Sequence, residues 1–212
     1  VQGEGGVYPA TKEFLNSIKE IADKDNLILI LDEIQCGMGR TGKFFAWQEY
    51  DIKPDVMTVA KALGNGVPIG AFLTAGKAND VLKPGDHGST YGGNPLVCAV
   101  ASKVLDIFKE DDIIENVKTV GAYLKDRLKE LAVSCPYIKE VRGRGLLLGV
   151  EFYIPVADII KASLTDEKMV LINAGSNVLR FVPPLIISKK DVDDAICRLK
   201  RVLKKVEEKG EK

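Results

Sequence analysis

A chain of 212 residues with 30 basic and 30 acidic side chains has no formal net charge, which excludes a general electrostatic pull toward nucleic acid or an anionic membrane. Its 46% hydrophobic content is ordinary for a globular protein, and the length suits one large domain or two small ones. No apolar run approaches the ~20 residues that span a bilayer.

Residues 11–24 set Phe14, Leu15, Ile18, Ile21 and Ala22 on one helical face. Residues 27–31 form a continuous apolar run ending at Asp32-Glu33, the pattern of a parallel strand buried on both faces. Residues 56–60 and 69–75 predict two more strands, with Gly64, Gly66 and Pro68 marking the turn between them. Helix followed by buried strand, repeated, predicts an α/β layer with a mainly parallel sheet. A turn-rich loop covers residues 83–95, and Asn94-Pro95 can cap and open a helix to about Glu110. Asp111 or Asp112 caps another helix, with Ile113, Ile114, Val117, Val120, Leu124, Leu128 and Leu131 as its apolar stripe. Short strands are expected at 138–142, 146–152, 169–172 and 178–181, with a helix near 157–164. The last helix starts at Ser188, with Asp191 as its capping-box partner. The change of pattern divides the chain near Asn94, with residues 95–212 forming a connecting helix and a small α+β domain.

The four cysteines, Cys36, Cys98, Cys135 and Cys197, form no CxxC pair and fit no zinc spacing. Free thiols, a cytoplasmic location and no metal site are expected. Three of the four lie in apolar surroundings and are expected in the core. The opening, Val1-Gln2-Gly3-Glu4-Gly5-Gly6, lacks a methionine and is glycine-rich, as a piece of a longer chain would be.

Four segments carry chemistry. Asp32-Glu33 follows an apolar strand, and a carboxylate there points into the crevice where α/β sheets bind ligands. Two uses fit, magnesium and ATP chemistry or holding a proton on a ring nitrogen, and an ordinary capped strand end stands beside them. The first needs a GxxxxGK[ST] loop, which this sequence lacks. Lys61 directly follows another strand and precedes Gly64-Asn65-Gly66, a placement suited to Schiff-base chemistry or to an ordinary strand end. In residues 86–95, Ser89, Thr90 and several glycines precede a helix start and suit an anion. Arg180 lies inside the apolar run Val178-Leu179-Arg180-Phe181, either as a carboxylate ligand or as a surface charge on an edge strand.

In this order and spacing the segments resemble the class III (subgroup II) aminotransferases of pyridoxal-phosphate (PLP) fold type I. The match rests on Gln2-Gly3-Glu4-Gly5-Gly6, on Leu31-Asp32-Glu33-Ile34-Gln35 with Gly37-Met38-Gly39-Arg40-Thr41-Gly42, on Ala60-Lys61-Ala62-Leu63-Gly64-Asn65-Gly66, on His87-Gly88-Ser89-Thr90-Tyr91-Gly92-Gly93-Asn94-Pro95, and on Arg180 before Val182-Pro183-Pro184. It covers essentially the whole chain and is most similar to the acetylornithine group. The resemblance implies that residues 1–94 are part of the large PLP-binding domain. It implies that Asp32 pairs with the cofactor's ring nitrogen, Ile34 packs on the ring, Gln35 bonds its hydroxyl and Lys61 attaches it. Thr90, with Ser89, is implied to reach the phosphate of the neighbouring subunit's cofactor in a homodimer. Arg180 is implied to bind the α-carboxylate of 2-oxoglutarate or glutamate, with Glu4 pairing to it when an ω-amino donor reacts. Family members are roughly twice this length, so much of the sheet, a phosphate loop and a ring-stacking aromatic are expected to be missing. The isolated chain is therefore expected to be inactive or weakly active, with an unpaired apolar sheet edge. An aminomutase or decarboxylase on the same scaffold, or a non-catalytic fragment, are the other readings.

Overall fold

Thr11 has an extended backbone and its hydroxyl accepts from the Phe14 amide at 3.2 Å, so the first helix, α1, starts at Lys12 and runs to Lys24. The computed structural model describes residues 1–210, and contacts group the chain into two units, Ala10–Ile114 and Val1–Pro9 with Glu115–Lys212. By contacts, the first nine residues group with the carboxyl-terminal half.

In the unit Ala10–Ile114, strands β1 (Ile30–Asp32), β2 (Val56–Val59) and β3 (Ala71–Thr74) form one sheet in that order. β1 and β2 are parallel, with Asp32 opposite Thr58, whereas β3 returns antiparallel to β2. The 33–55 connection is held by the Tyr50 hydroxyl donating to the Ala10 carbonyl at 2.9 Å and by the Trp47 indole N–H donating to the Met57 sulfur at 3.3 Å. Helix α2 (Pro95–Glu110) begins as its sequence predicts, with the Asn94 side chain accepting from the Val97 amide and Pro95 in the first turn. The strands are less covered than a doubly buried sheet requires. Ile30 is 59% exposed, and Leu27, Ile28, Phe72 and Leu73 are exposed with it. The physical reason is that this unit has only two α-helices, too few to cover both faces of the sheet.

The other unit has helices α3 (Ile113–Ser134), α4 (Ala157–Glu167) and α5 (Lys189–Gly210). Its strands are β4 (Ile138–Arg144), β5 (Leu147–Phe152), β6 (Ile172–Asn173) and β7 (Val178–Phe181), antiparallel in the order β4-β5-β7-β6. Alternation decides which face each residue serves. Leu148, Val150, Phe152, Leu179 and Phe181 join Val117, Leu124 and Leu128 of α3 and Val192, Ile196 and Leu199 of α5 in one core. The opposite face carries Leu147 and Val178, which pack on Val7 and Ala174, together with Arg142, Gly149, Glu151 and Arg180. This second face is the one that holds residues 1–9.

Cys36 and Cys135 are buried, whereas Cys98 and Cys197 are exposed, so two cysteines and not three belong to the interior. Each exposed one sits one helical step from a buried residue, Val97 or Ile196, and so faces outward. No helix is long and apolar enough to cross a membrane among the described residues.

Candidate functional site

Two groups of residues stand out, one in each unit. In the first, β1 ends at Asp32 and its parallel neighbour β2 ends at Val59, two residues before Lys61. The two side chains therefore leave the same end of adjacent strands, which lie about 4.8 Å apart. Both residues are exposed. The Ile34 amide donates to Asp32 Oδ1 at 2.9 Å, an Asx-type turn that fixes the carboxylate just beyond the strand. Ile34 and Gln35 follow on this turn, each half-buried. Lys61 has φ +46, a left-handed backbone that non-glycine residues adopt at a cost. Strain of this kind persists where the surrounding structure imposes it, and it concentrates at functional positions. A short 3-10 turn, Lys61–Leu63, follows, and α2 packs against it.

Glu33, the second half of the Asp-Glu pair, had no role in the sequence. It is 4% exposed and points the other way from Asp32, accepting from the amides of Ala46 at 2.9 Å and Trp47 at 3.0 Å. Burial raises its pKa, against these two amides, which lower it. Its work is to staple the 34–47 loop beneath the strand end. The signal was present in the sequence, since a glutamate next to a buried strand needs partners. Arg40, in the same loop, is pulled down to about 10 by burial.

The loop before α2 is exposed throughout residues 83–93. The Ser89 hydroxyl accepts from the Gly92 amide at 3.0 Å and so helps to shape the loop, while Thr90 is exposed beside it. His87 makes an edge-to-face contact with Phe72, ring centroids 5.8 Å apart. Among the described residues no three His, Cys, Asp or Glu side chains gather as a metal group.

In the second unit, Arg180 is 8% exposed on β7, which lies between β5 and β6. A surface charge on an edge strand is thereby excluded. The Arg180 guanidinium pairs with the carboxylate of Glu4, from the glycine-rich opening, whose side chain is 76% exposed. A buried cation is thus met by an exposed anion.

The first arrangement sets a carboxylate and an amine at one end of adjacent strands, and the second offers a buried cation to an anionic group. Ornithine aminotransferase from Toxoplasma gondii ME49 superposes with a TM-score of 0.91 at 39% identity, over 99% of this chain and 51% of that one. A second Toxoplasma gondii ornithine aminotransferase structure, with partial occupancy of PLP at its active site, gives 0.92 at 39%, over 100% and 51%. The fold is therefore that of PLP-dependent transferases of fold type I, about half of which is present. A family model, Aminotransferase class-III, matches residues 1–203, and the chain belongs to that family. The acetylornithine aminotransferase of Clostridium acetobutylicum is 47% identical over 197 residues, 92% of this chain and 51% of that protein. That of Methanocaldococcus jannaschii is 45% identical over 211 residues, 97% and 52%. The chain spans about half the length of the curated relatives it matches.

Proposed function

We propose that this chain is the part of a PLP-dependent aminotransferase that attaches the cofactor and binds the acceptor's carboxylate. The observation that carries the reading is Lys61, held in a left-handed backbone beside the strand end that bears Asp32. When bound, PLP supplies an electron sink for the pair left on the substrate carbon. Lys61 Nζ would hold the cofactor, and the same amine would be the base that takes the proton from that carbon. The Asp32 carboxylate would keep a proton on the ring nitrogen, Ile34 would pack on the ring and Gln35 would bond its hydroxyl. Thr90, with Ser89, serves the phosphate of the neighbouring subunit's cofactor. Arg180 binds the α-carboxylate of 2-oxoglutarate or glutamate through a two-pronged contact. Glu4 covers Arg180 while acetylornithine or a similar ω-amino acid reacts, then swings out.

The same reading takes residues 1–94 as part of the large domain and 95–212 as the connecting helix and small domain of a cytoplasmic homodimer. Free thiols agree with a reducing compartment. The chain alone is inactive or weakly active, because half of the relatives' length is outside it. Addition of PLP followed by borohydride and peptide mass analysis tests the first claim: the added mass belongs on Lys61. Labelling spread over surface lysines would reject it. Robust turnover of acetylornithine with 2-oxoglutarate by the 212-residue chain would reject the second.

A further inference from the structure

The Glu4 loop is tied to the sheet by a residue with no role in the reading above. Gln2 and Tyr8 form an isolated antiparallel bridge, with amide-to-carbonyl distances of 3.0 and 3.2 Å, so residues 3–7 are a closed loop. Val7 is fully buried at φ +59, a conformation unusual for a β-branched residue. It presses so closely on Gly149 that a Cβ added there would lie 2.9 Å from its own. Gly149 is opposite Arg142 on β4 and opposite Arg180 on β7. Residues directly opposite one another share a face. The two arginines therefore flank Gly149 on one side of the sheet, roughly 10 Å apart across two strand spacings. The loop spans them. At one end the Arg142 Nε–H donates to the Gly6 carbonyl at 2.9 Å; at the other Arg180 holds Glu4.

The two ends differ in permanence. The Arg142 side chain is 7% exposed, pairs with Glu151 at 2.5 Å and Glu140 at 2.8 Å, and lies 3.9 Å over the Tyr8 ring. The Tyr8 hydroxyl donates to Glu151 at 3.4 Å. Gly6, at φ +115, leaves no room for a side chain, since a Cβ would lie 2.7 Å from the Tyr8 ring. Glu4, by contrast, is 76% exposed, so its carboxylate can return to water, and the buried Arg180 guanidinium it leaves then needs another anion in its place. A free loop would gain backbone entropy whenever Glu4 let go and would lose it at each closure.

We propose that Arg142 is a positioning residue that fixes the Gln2–Tyr8 loop, so that Glu4 alone moves on and off Arg180. The site at Arg180 rests on the function proposed above; the anchoring does not. The test uses the 212-residue chain, with glutarate as the dicarboxylate probe and NMR relaxation of the residue 3–6 amides. Glu4→Gln removes the competing anion and raises glutarate affinity. Arg142→Lys keeps a charge beside Glu151 but loses the bond to Gly6, so Glu4 competes less well. Affinity should rise roughly threefold to tenfold, with no further rise when Arg142→Lys is added to Glu4→Gln. Tyr8→Leu, at a half-exposed ring, should loosen the same amides, and Tyr8→Phe should not. An Arg142→Lys effect that is equal with and without Glu4, or loop amides that stay ordered in Arg142→Lys and Tyr8→Leu, overturns the proposal. If glutarate fails to bind even in Glu4→Gln, the carboxylate-site reading is lost, and the amide order alone decides the anchoring.

Discussion

Lys61 holds its amine at a strand end by accepting a backbone angle that lysine disfavours. Removing the side chain separates this strain from the chemistry. Lys61→Ala keeps the strained φ, whereas Lys61→Gly relieves it, so the glycine variant should be more stable by up to ~1 kcal/mol, less what glycine loses in unfolded-state entropy. Denaturant midpoints of the two variants check this, and both should lose borohydride-fixed cofactor. Glu151 offers a titration test. The ammonium of Lys139, at 2.6 Å, and then the Arg142 guanidinium hold its carboxyl below the usual range. A lowered folded value means that its contribution is complete above the unfolded value, about 4.3, and is lost as pH falls through the folded one. The urea midpoint difference between the parent chain and Glu151→Gln should therefore be largest near neutrality and shrink below pH ~4.

Elements in this chain start where side chains can stand in for missing helical partners. Ser188 and Asp191 are the fullest case: the Asp191 amide donates to Ser188 Oγ at 3.2 Å and the Ser188 amide donates to Asp191 Oδ2 at 3.0 Å. Their hydroxyl and carboxylate also meet, at 2.6 Å. α5 then buries Val192, Ile196, Leu199 and Val202, so the cap supports a helix that closes the main core. Ser188→Ala and Asp191→Ala should each cost about 1 kcal/mol, and the double variant should cost less than the sum because each loses the same reciprocal pair. Thermal or urea unfolding of the three variants measures this. Helix α1 has the same local logic at Thr11, but its apolar side chains Phe14 and Ile21 remain exposed.

At the scale of the whole molecule the two units are unevenly built. Val1–Pro9 with Glu115–Lys212 contains the large core, while Ala10–Ile114 leaves Leu27, Ile28, Ile30, Phe72 and Leu73 exposed. Exposed apolar strands with unpaired edges invite association. Light scattering should show the 212-residue chain self-associating as concentration rises, and Ile30→Lys with Phe72→Lys should suppress this without lowering the stability of the other unit. Native-state hydrogen exchange should find β5 and β7 the most protected strands and β3 among the first to open. A parent chain that stays monodisperse as concentration rises would reject this expectation of self-association.

Local signals alone were enough for the capped helices α2 and α5, the apolar stripe of α3 and the β5 and β7 strands, while the family came from the resemblance of the ordered motifs around Asp32, Lys61 and Arg180. Each depends on neighbours in the chain or on periodicity, which a sequence carries directly. Long-range pairing supplied the rest. Only the sheet register makes Arg180 interior, sets Arg142 in the same row, and turns Val1–Pro9 back onto the carboxyl-terminal half. The opposite fates of Asp32 and Glu33 also needed it, because adjacent strand residues face opposite sides and only the fold says which side holds the Ala46 and Trp47 amides.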